Sequence, residues 1–423
     1  MALADAAEDP RDVLIVGGGI GGLTLALELH RLGIPCRVYE AVPRITQVGV
    51  GITVLPHAAR VLTELGLLDV LLAKGLSTRE SVFYNRFGQF VWREPTGEFA
   101  GLPFPQLSIH RADLHEVLLE AARERLGEDR LTFGARLLSA DQDDEAAYAT
   151  FARAGVDDDT FTARGSVVIG CDGIHSTLRR QLHPDEGPPL YQGLNMWRGV
   201  SVWKPFLSGA SMLRVGWYPT GKLTIYPCRD NVDGQGNQLM NWIAAIKTDR
   251  YVERDWGRRG RLEDFMPTFQ DWTFDFLDVP GVLTNCVEVL EFPMVDQEPV
   301  EQWTFGRLTL LGDAAHPMVP RGSNGAGQAI VDCRALATAL AAVPGPDAFP
   351  QALTAYEAER LPVTTKIVYK NRLEPPDVIL QEVCERTGDQ PFSAREDVIS
   401  DEELRALSEG YKDLTGYSSR ALT

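Results

Sequence analysis

Six residues near the start of the chain, Gly17-Gly-Gly19-Ile-Gly-Gly22, constrain its fold more than any others. They follow the apolar run Val13-Leu-Ile-Val16 and precede Leu23-Thr-Leu-Ala-Leu-Glu-Leu-His30, which is rich in helix-forming residues. Gly33-Ile-Pro35 stops that helix, and Cys36-Arg-Val-Tyr-Glu40 reads as a second strand. Strand, helix and strand in this order imply a parallel sheet covered by helices. Gly17, Gly19 and Gly22 fit the G-x-G-x-x-G spacing, and they do so between a strand and a helix, which is the context that gives the spacing meaning. Glycine here permits a tight turn and lets the backbone approach a pyrophosphate, which then sits at the positive end of the helix. Glu40 closes the second strand, where a carboxylate accepts hydrogen bonds from ribose hydroxyls and repels a 2′-phosphate. The unit specifies a dinucleotide without saying which one.

At 423 residues the chain exceeds one ordinary core, so two or three interlocked domains are expected. Residues 58–72 and 111–126 have helical apolar spacing. Residues 80–92 alternate, with Gly88-Gln89 at a hairpin turn. Segments 130–133, 149–154 and 166–170 read as strands. From 191 to 300 the character changes to aromatic-rich alternating runs, such as Met196-Trp-Arg-Gly-Val-Ser-Val-Trp203, Leu213-Arg-Val-Gly-Trp217, Leu223-Thr-Ile-Tyr226 and Met240-Asn-Trp-Ile-Ala-Ala-Ile246. These read as an antiparallel sheet. Leu308–Leu311 returns to a buried strand, 325–342 and 351–371 to helices, and the polar tail after Leu373 reads as short helical stretches, partly mobile. The expected fold class is α/β: a Rossmann-like binding domain with a parallel sheet, a substrate domain with a mixed or antiparallel sheet, and C-terminal helices. The nucleotide domain is discontinuous, over 11–75, 105–185 and 296–345. The substrate domain spans 76–104 and 186–295, and the helical region spans 346–423.

A net charge of −18 leaves no basic surplus for a nucleic-acid partner. The opening MALADAAEDPRDV is acidic and has no signal-peptide pattern, and no apolar stretch is long enough to span a bilayer. Six cysteines are scattered singly, without metal or redox spacing. They fit a reducing cytoplasm. A cytoplasmic monomer or homodimer without a metal site is expected.

Two later motifs decide the cofactor. Leu308-Thr-Leu-Leu-Gly312-Asp313-Ala-Ala-His316 places Gly-Asp directly after a buried strand, and Pro317, Pro320, Gly322 and Gly325 lead into a helix. Gly170-Cys-Asp172-Gly173-Ile-His-Ser-Thr-Leu-Arg179 places Asp-Gly at the end of another strand. With the glycine fingerprint, these motifs in this order resemble the single-component flavoprotein aromatic hydroxylases, a family that includes the p-hydroxybenzoate and salicylate hydroxylases. The segments 48–52, 108–111, 196–199 and 293–296 are most similar to its phenazine-hydroxylating members. The resemblance implies FAD as cofactor, NAD(P)H and O2 as co-substrates, and transfer of the distal oxygen atom of a flavin C4a-hydroperoxide to a small aromatic or heteroaromatic ring of phenazine or phenol type. It implies that Asp313 meets the ribityl chain, that the N–H groups of Gly325 and Ala326 face the flavin N1–C2=O edge, and that Arg111 reaches the pyrophosphate. It also implies that the Leu137 backbone meets the adenine and that Asp172 and Arg179 serve FAD and nicotinamide binding, although Asp172 also reads as a helix-terminus residue. His316 in this motif reads as a packing residue rather than a base.

Between the flavin and the second sheet, Val50, Trp197, Arg198, Trp217, Tyr226 and Trp242 are the candidate substrate residues, with Tyr226 and Pro320 assigned to catalysis. Tyr226 can orient or deprotonate a ring hydroxyl, and Arg198 can pair with a substrate carboxylate or, the reading slightly preferred, with an acid of the protein. Alternation puts Thr224 and Tyr226 on one face and Ile225 on the other. For any single aromatic, a place on the sheet's packed side is the preferred reading. Position 53 is Thr where pyridine-hydroxylating relatives have a histidine, which argues against a pyridine-type mechanism. Baeyer–Villiger oxygenation, epoxidation, N-hydroxylation and flavin binding without turnover stay open alternatives.

Overall fold

Val13–Val16 is buried on both faces, as the central strand of a parallel sheet must be. The computed structural model describes residues 9–44, 49–155, 159–251 and 257–422. The acidic opening and Val48 lie outside the described residues. Five strands form the parallel sheet, in the order Leu308–Leu310, Val167–Gly170, Val13–Val16, Cys36–Glu40, Leu131–Phe133. The helix Ile20–Arg31 buries Leu23, Leu25, Leu27 and Leu29 and packs against the helix Gly325–Ala341. The strands Ala135–Gln142, Ala147–Arg153 and Thr160–Gly165 form a small antiparallel sheet over this side. Its first and third strands were not expected from the sequence; in the first, Leu137 and Leu138 stand together among small and polar residues.

The second sheet has seven strands, in the order Cys286–Asp296, Leu190–Trp203, Gln238–Lys247, Gly221–Arg229, Ser211–Trp217, Glu80–Tyr84, Phe90–Pro95. It is mixed rather than purely antiparallel, because Ser211–Trp217 runs parallel to Glu80–Tyr84. The early hairpin thus joins a sheet whose other strands all begin at Leu190 or later. One face of this sheet carries a packed layer that includes Trp197, Leu213, Val215, Leu223, Ile225, Trp242, Ala244, Phe265 and Phe269. The other face looks toward the nucleotide side.

Two expectations are corrected. The helix read over 58–72 is two helices, Pro56–Glu64 and Leu68–Lys74, separated by a turn at Leu65-Gly-Leu67. The polar tail is folded. Val378–Thr387 buries Ile379, Leu380 and Val383, and Asp401–Thr415 begins with a capping box between Ser400 and Glu403. Its buried Leu404 and Tyr411 stand on one face among charged residues, a pattern that composition alone conceals. Among the described residues, no helix is long and apolar enough to cross a membrane.

Candidate active site

The glycine turn owes its shape to close backbone contact. Gly17 has φ 107°, and a Cβ there would lie 2.3 Å from the Cys171 carbonyl oxygen. A Cβ on Gly22 would lie 1.9 Å from the carbonyl oxygen of Gly17. Glu40 holds the turn from the second strand: its carboxylate accepts from the N–H of Gly18 at 2.7 Å and of Val42 at 2.9 Å. His115 Nε2 lies 2.7 Å from the Gly18 carbonyl oxygen. Gly19, Ile20 and Gly21, the start of the first helix, open into a cavity of about 290 Å³.

The start of a second helix opens into the same cavity. Gly312 and Asp313 follow the Leu308–Leu310 strand, Pro320 and Arg321 shape the next turn, and Gly325 and Ala326 begin the helix Gly325–Ala341; all line the cavity. Two helix N-termini therefore present unsatisfied N–H groups and partial positive charge to one volume. Arg111 lines it too and begins its own helix. Burial lowers the pKa of its guanidinium, and the Asp313 carboxylate opposes that shift.

Behind this wall lies a buried polar network. His316 Nε2 is 2.6 Å from Asp332 Oδ2, and Arg360 donates to Asp332 Oδ1 at 2.7 Å and to Gln328 at 2.6 Å. His316 does not line the cavity. Asp172 does not either: it accepts from the N–H of Thr177 at 2.7 Å and of Leu178 at 3.3 Å, in the helix-terminus role that the sequence left open. Arg179 is buried, paired with Glu186 at 2.6 Å and donating to the carbonyls of Ala314 and Ala315 at 2.9 and 2.7 Å. It ties one Asp-Gly turn to the other. Leu137 is buried in the core of the nucleotide side, opposite Phe151, and does not line the cavity.

The sheet closes the opposite side, and strand register decides which residues reach it. Arg198, Ile243, Thr224 and Arg214 stand opposite one another across four neighbouring strands. All four line the cavity, with Met196, Ala245, Lys222 and Tyr226 on the same face. Gly51, Ile52 and Thr53 form a third side, fixed to the sheet by a 2.7 Å bond from the Gly51 N–H to Asn241 Oδ1. Arg198 donates to the Gly51 carbonyl at 3.1 Å. The Tyr226 phenol faces Thr53 and lies near Arg198, and burial, working against both, raises its pKa to about 12.

None of the three candidate tryptophans lines the cavity, and Val50 does not either. Trp197 and Trp242 alternate onto the far face, where both pack against Phe265, and Trp242 Nε1 donates to Ser201 at 3.0 Å. The alternation that sorted Ile225 from Tyr226 sorts them as well. Trp217 should follow Leu213 and Val215 to that far face, but Gly216 in the left-handed region (φ 72°) breaks the alternation. Trp217 then stands beside Tyr218, which lines the cavity, and under Arg321 at 5.5 Å. Val50 is buried, and its carbonyl accepts from the Arg111 N–H at 2.9 Å.

The sequence reading missed Arg214, Lys222 and Arg321. With Arg111 and Arg198 they give the cavity five cationic side chains against one lining carboxylate, Asp313, in a chain of net charge −18. Arg214 was detectable: a charge within Ser-Met-Leu-Arg-Val-Gly-Trp, a strand whose residues are all buried, needs a reason.

A family described as "FAD binding domain" matches residues 11–197 and 277–371. The chain is 38% identical to the phenazine 1,6-dicarboxylic acid hydroxylase PhzS of Lysobacter antibioticus, over 96% of this chain and 98% of that protein. It is 32% identical to the 3-hydroxybenzoate 6-hydroxylase of Polaromonas naphthalenivorans, over 86% and 88%. Among solved structures, HpxO of Klebsiella pneumoniae complexed with FAD and uric acid superposes with a TM-score of 0.78 at 22% identity, covering 99% of this chain and all of that one. The residues present fit that cofactor: a glycine turn that no side chain could replace, two helix N-termini, and the Arg111–Asp313 pair, all on one cavity.

Proposed function

The chain belongs to the FAD-binding-domain family of flavoprotein aromatic hydroxylases, and from that premise we propose that this FAD-dependent monooxygenase hydroxylates a small aromatic acid of phenazine or phenol type. The observation that carries the substrate reading is the cavity itself, where the dinucleotide turn and both helix N-termini meet a sheet face bearing Arg198, Arg214, Lys222 and Tyr226. The names of the two relatives, which act on a phenazine dicarboxylic acid and on a hydroxybenzoate, support an aromatic acid.

FAD, reduced by NAD(P)H, supplies the activation of O2. The protein does the rest. The Gly17–Gly22 turn, the first helix N-terminus and Arg111 hold the pyrophosphate. Asp313 accepts from the ribityl hydroxyls. Gly325 and Ala326, at the start of their helix, would hold the flavin ring end, and the helix dipole there would favour the negative charge of a reduced flavin. The Pro320 turn, Ile52, Ile243 and Phe292 exclude water from the reacting ring. Tyr226, held neutral by burial, orients a ring hydroxyl through its own O–H. Arg198 and Arg214 attract the substrate's negative charge. The six unpaired cysteines suit a reducing cytoplasm.

The test is oxidation of NAD(P)H by the FAD-loaded protein with phenazine-1-carboxylate or 3-hydroxybenzoate added. An aromatic acid should accelerate flavin reduction and yield a product heavier by one oxygen. If no aromatic acid accelerates reduction, the hydroxylase reading fails.

A further inference from the structure

Tyr226 and Arg198 account for one part of the sheet face. They leave Lys222 and Arg321 without a task, and Arg214 with no more than a general attraction for negative charge. Resting on the aromatic-acid reading, we propose that these three side chains form a carboxylate-binding subsite. We propose further that Asp377, from the C-terminal helical region, sets its affinity by competing for Lys222.

The three side chains line the cavity, and two of them, Lys222 and Arg321, meet at one aromatic residue. Lys222 Nζ lies 5.1 Å from the centre of the Tyr218 ring and the Arg321 guanidinium 5.2 Å from it. Little of either side chain is exposed, 9% for Lys222 and 11% for Arg321. Arg214 is buried, donates to Ser81 at 3.0 Å and lies 5.3 Å from the centre of the Phe83 ring.

The acids near them do not balance this charge. Asp377 is wholly buried, forms an ion pair with Lys222, and stands 3.9 Å from Arg321. Glu94 lies within electrostatic reach of Arg214 but is already held by Lys412 at 2.9 Å and by Ser408. Counting Lys412 and the Glu409 that it also meets at 3.6 Å, four basic side chains face three carboxylates, an excess of one in a largely buried site where burial and the neighbouring arginines already press Lys222 toward its neutral form. Buried charge without a counter-ion is costly, so the arrangement calls for an anion. Arg321 donates to the Arg372 carbonyl at 2.8 Å, while its Nε is buried with no protein partner. That Nε–H is a donor left for a carboxylate oxygen. The surroundings are aromatic, as a carboxylate attached to a ring requires: Tyr218 beside Lys222 and Arg321, and Phe83 beside Arg214.

Asp377 makes the subsite adjustable. It begins the helix Val378–Thr387, far in sequence from the sheet, and takes up one of the three cations. A substrate carboxylate must share Lys222 with it. The tail thereby enters substrate recognition without lining the cavity.

The probes are phenazine-1-carboxylate and unsubstituted phenazine, titrated into FAD-loaded protein and followed by the flavin absorbance. Lys222→Met and Arg321→Gln should each weaken the acid by roughly tenfold to a hundredfold, and phenazine by no more than about twofold. Asp377→Asn should tighten the acid by about tenfold and leave phenazine unchanged. A structural role for Asp377 would instead weaken both probes, so this variant decides the matter even if Lys222→Met fails to hold FAD. Equal shifts for both probes in the variants, or weaker acid binding by Asp377→Asn, would overturn the subsite. So would wild-type protein that binds phenazine as tightly as its carboxylate. If neither probe perturbs the flavin, the aromatic-acid reading falls first and the subsite falls with it.

Discussion

Tyr226 shows how a single residue is set by its surroundings. Burial raises its pKa to about 12, outweighing the opposing effect of Arg198 and the Thr53 hydroxyl. For a phenol a raised value extends the neutral form upward, so Tyr226 is an O–H donor below pH 10 and begins to lose its proton only toward about 12. It positions a ring hydroxyl rather than acting as a phenolate base. Tyr226→Phe should therefore keep FAD and lower kcat/KM by roughly tenfold to thirtyfold, the worth of one buried hydrogen bond. The ratio of wild-type to variant kcat/KM should stay flat between about pH 7 and 9, because the phenol does not titrate there. A ratio that rises through that range would mean an ionising tyrosine.

At the scale of elements, the strand–turn–helix unit was fully legible. Gly17 and Gly22 are required by backbone contacts of 2.3 and 1.9 Å to a would-be Cβ, and their spacing between strand and helix exposed them. Gly22→Ala should fold with much reduced FAD content, read as flavin absorbance per mole of purified protein; full FAD occupancy would show that the turn can relax around a methyl group. The sheet face was only half legible. Alternation separates Tyr226 from Ile225, and the same rule sends Trp197 and Trp242 to the far side, where Phe265 awaits them. Composition drew attention to tryptophans because they are large. The side chains that face the cavity are instead charged residues in otherwise apolar strands. Trp217 could not have been placed by alternation, since it depends on the left-handed conformation of Gly216.

At the scale of the whole molecule, the cavity is assembled from parts distant in sequence. The turn at 17–22, the strand at 51–54, the helix start at 325 and the face spanning residues 196–245 meet in one volume, with Asp377 from the tail beside it. Local pattern gives the parts, and the three-motif resemblance gave their joint purpose. What no local pattern gave was charge: an acidic chain gathers cations on its cavity wall, and that separation appears only once distant strands are in register. Nor did the tail's polarity disclose that it folds against the second sheet through Ile379, Leu380 and Val383. The central claim, transfer of one atom of O2 to an aromatic acid, is tested most directly with heavy-oxygen-labelled O2, the FAD-loaded protein, NAD(P)H and phenazine-1-carboxylate. The account predicts a hydroxylated product whose added oxygen carries the label, formed in step with NAD(P)H consumed. NAD(P)H consumption that yields only hydrogen peroxide with each aromatic acid tried, or a product oxygen derived from water, would contradict it.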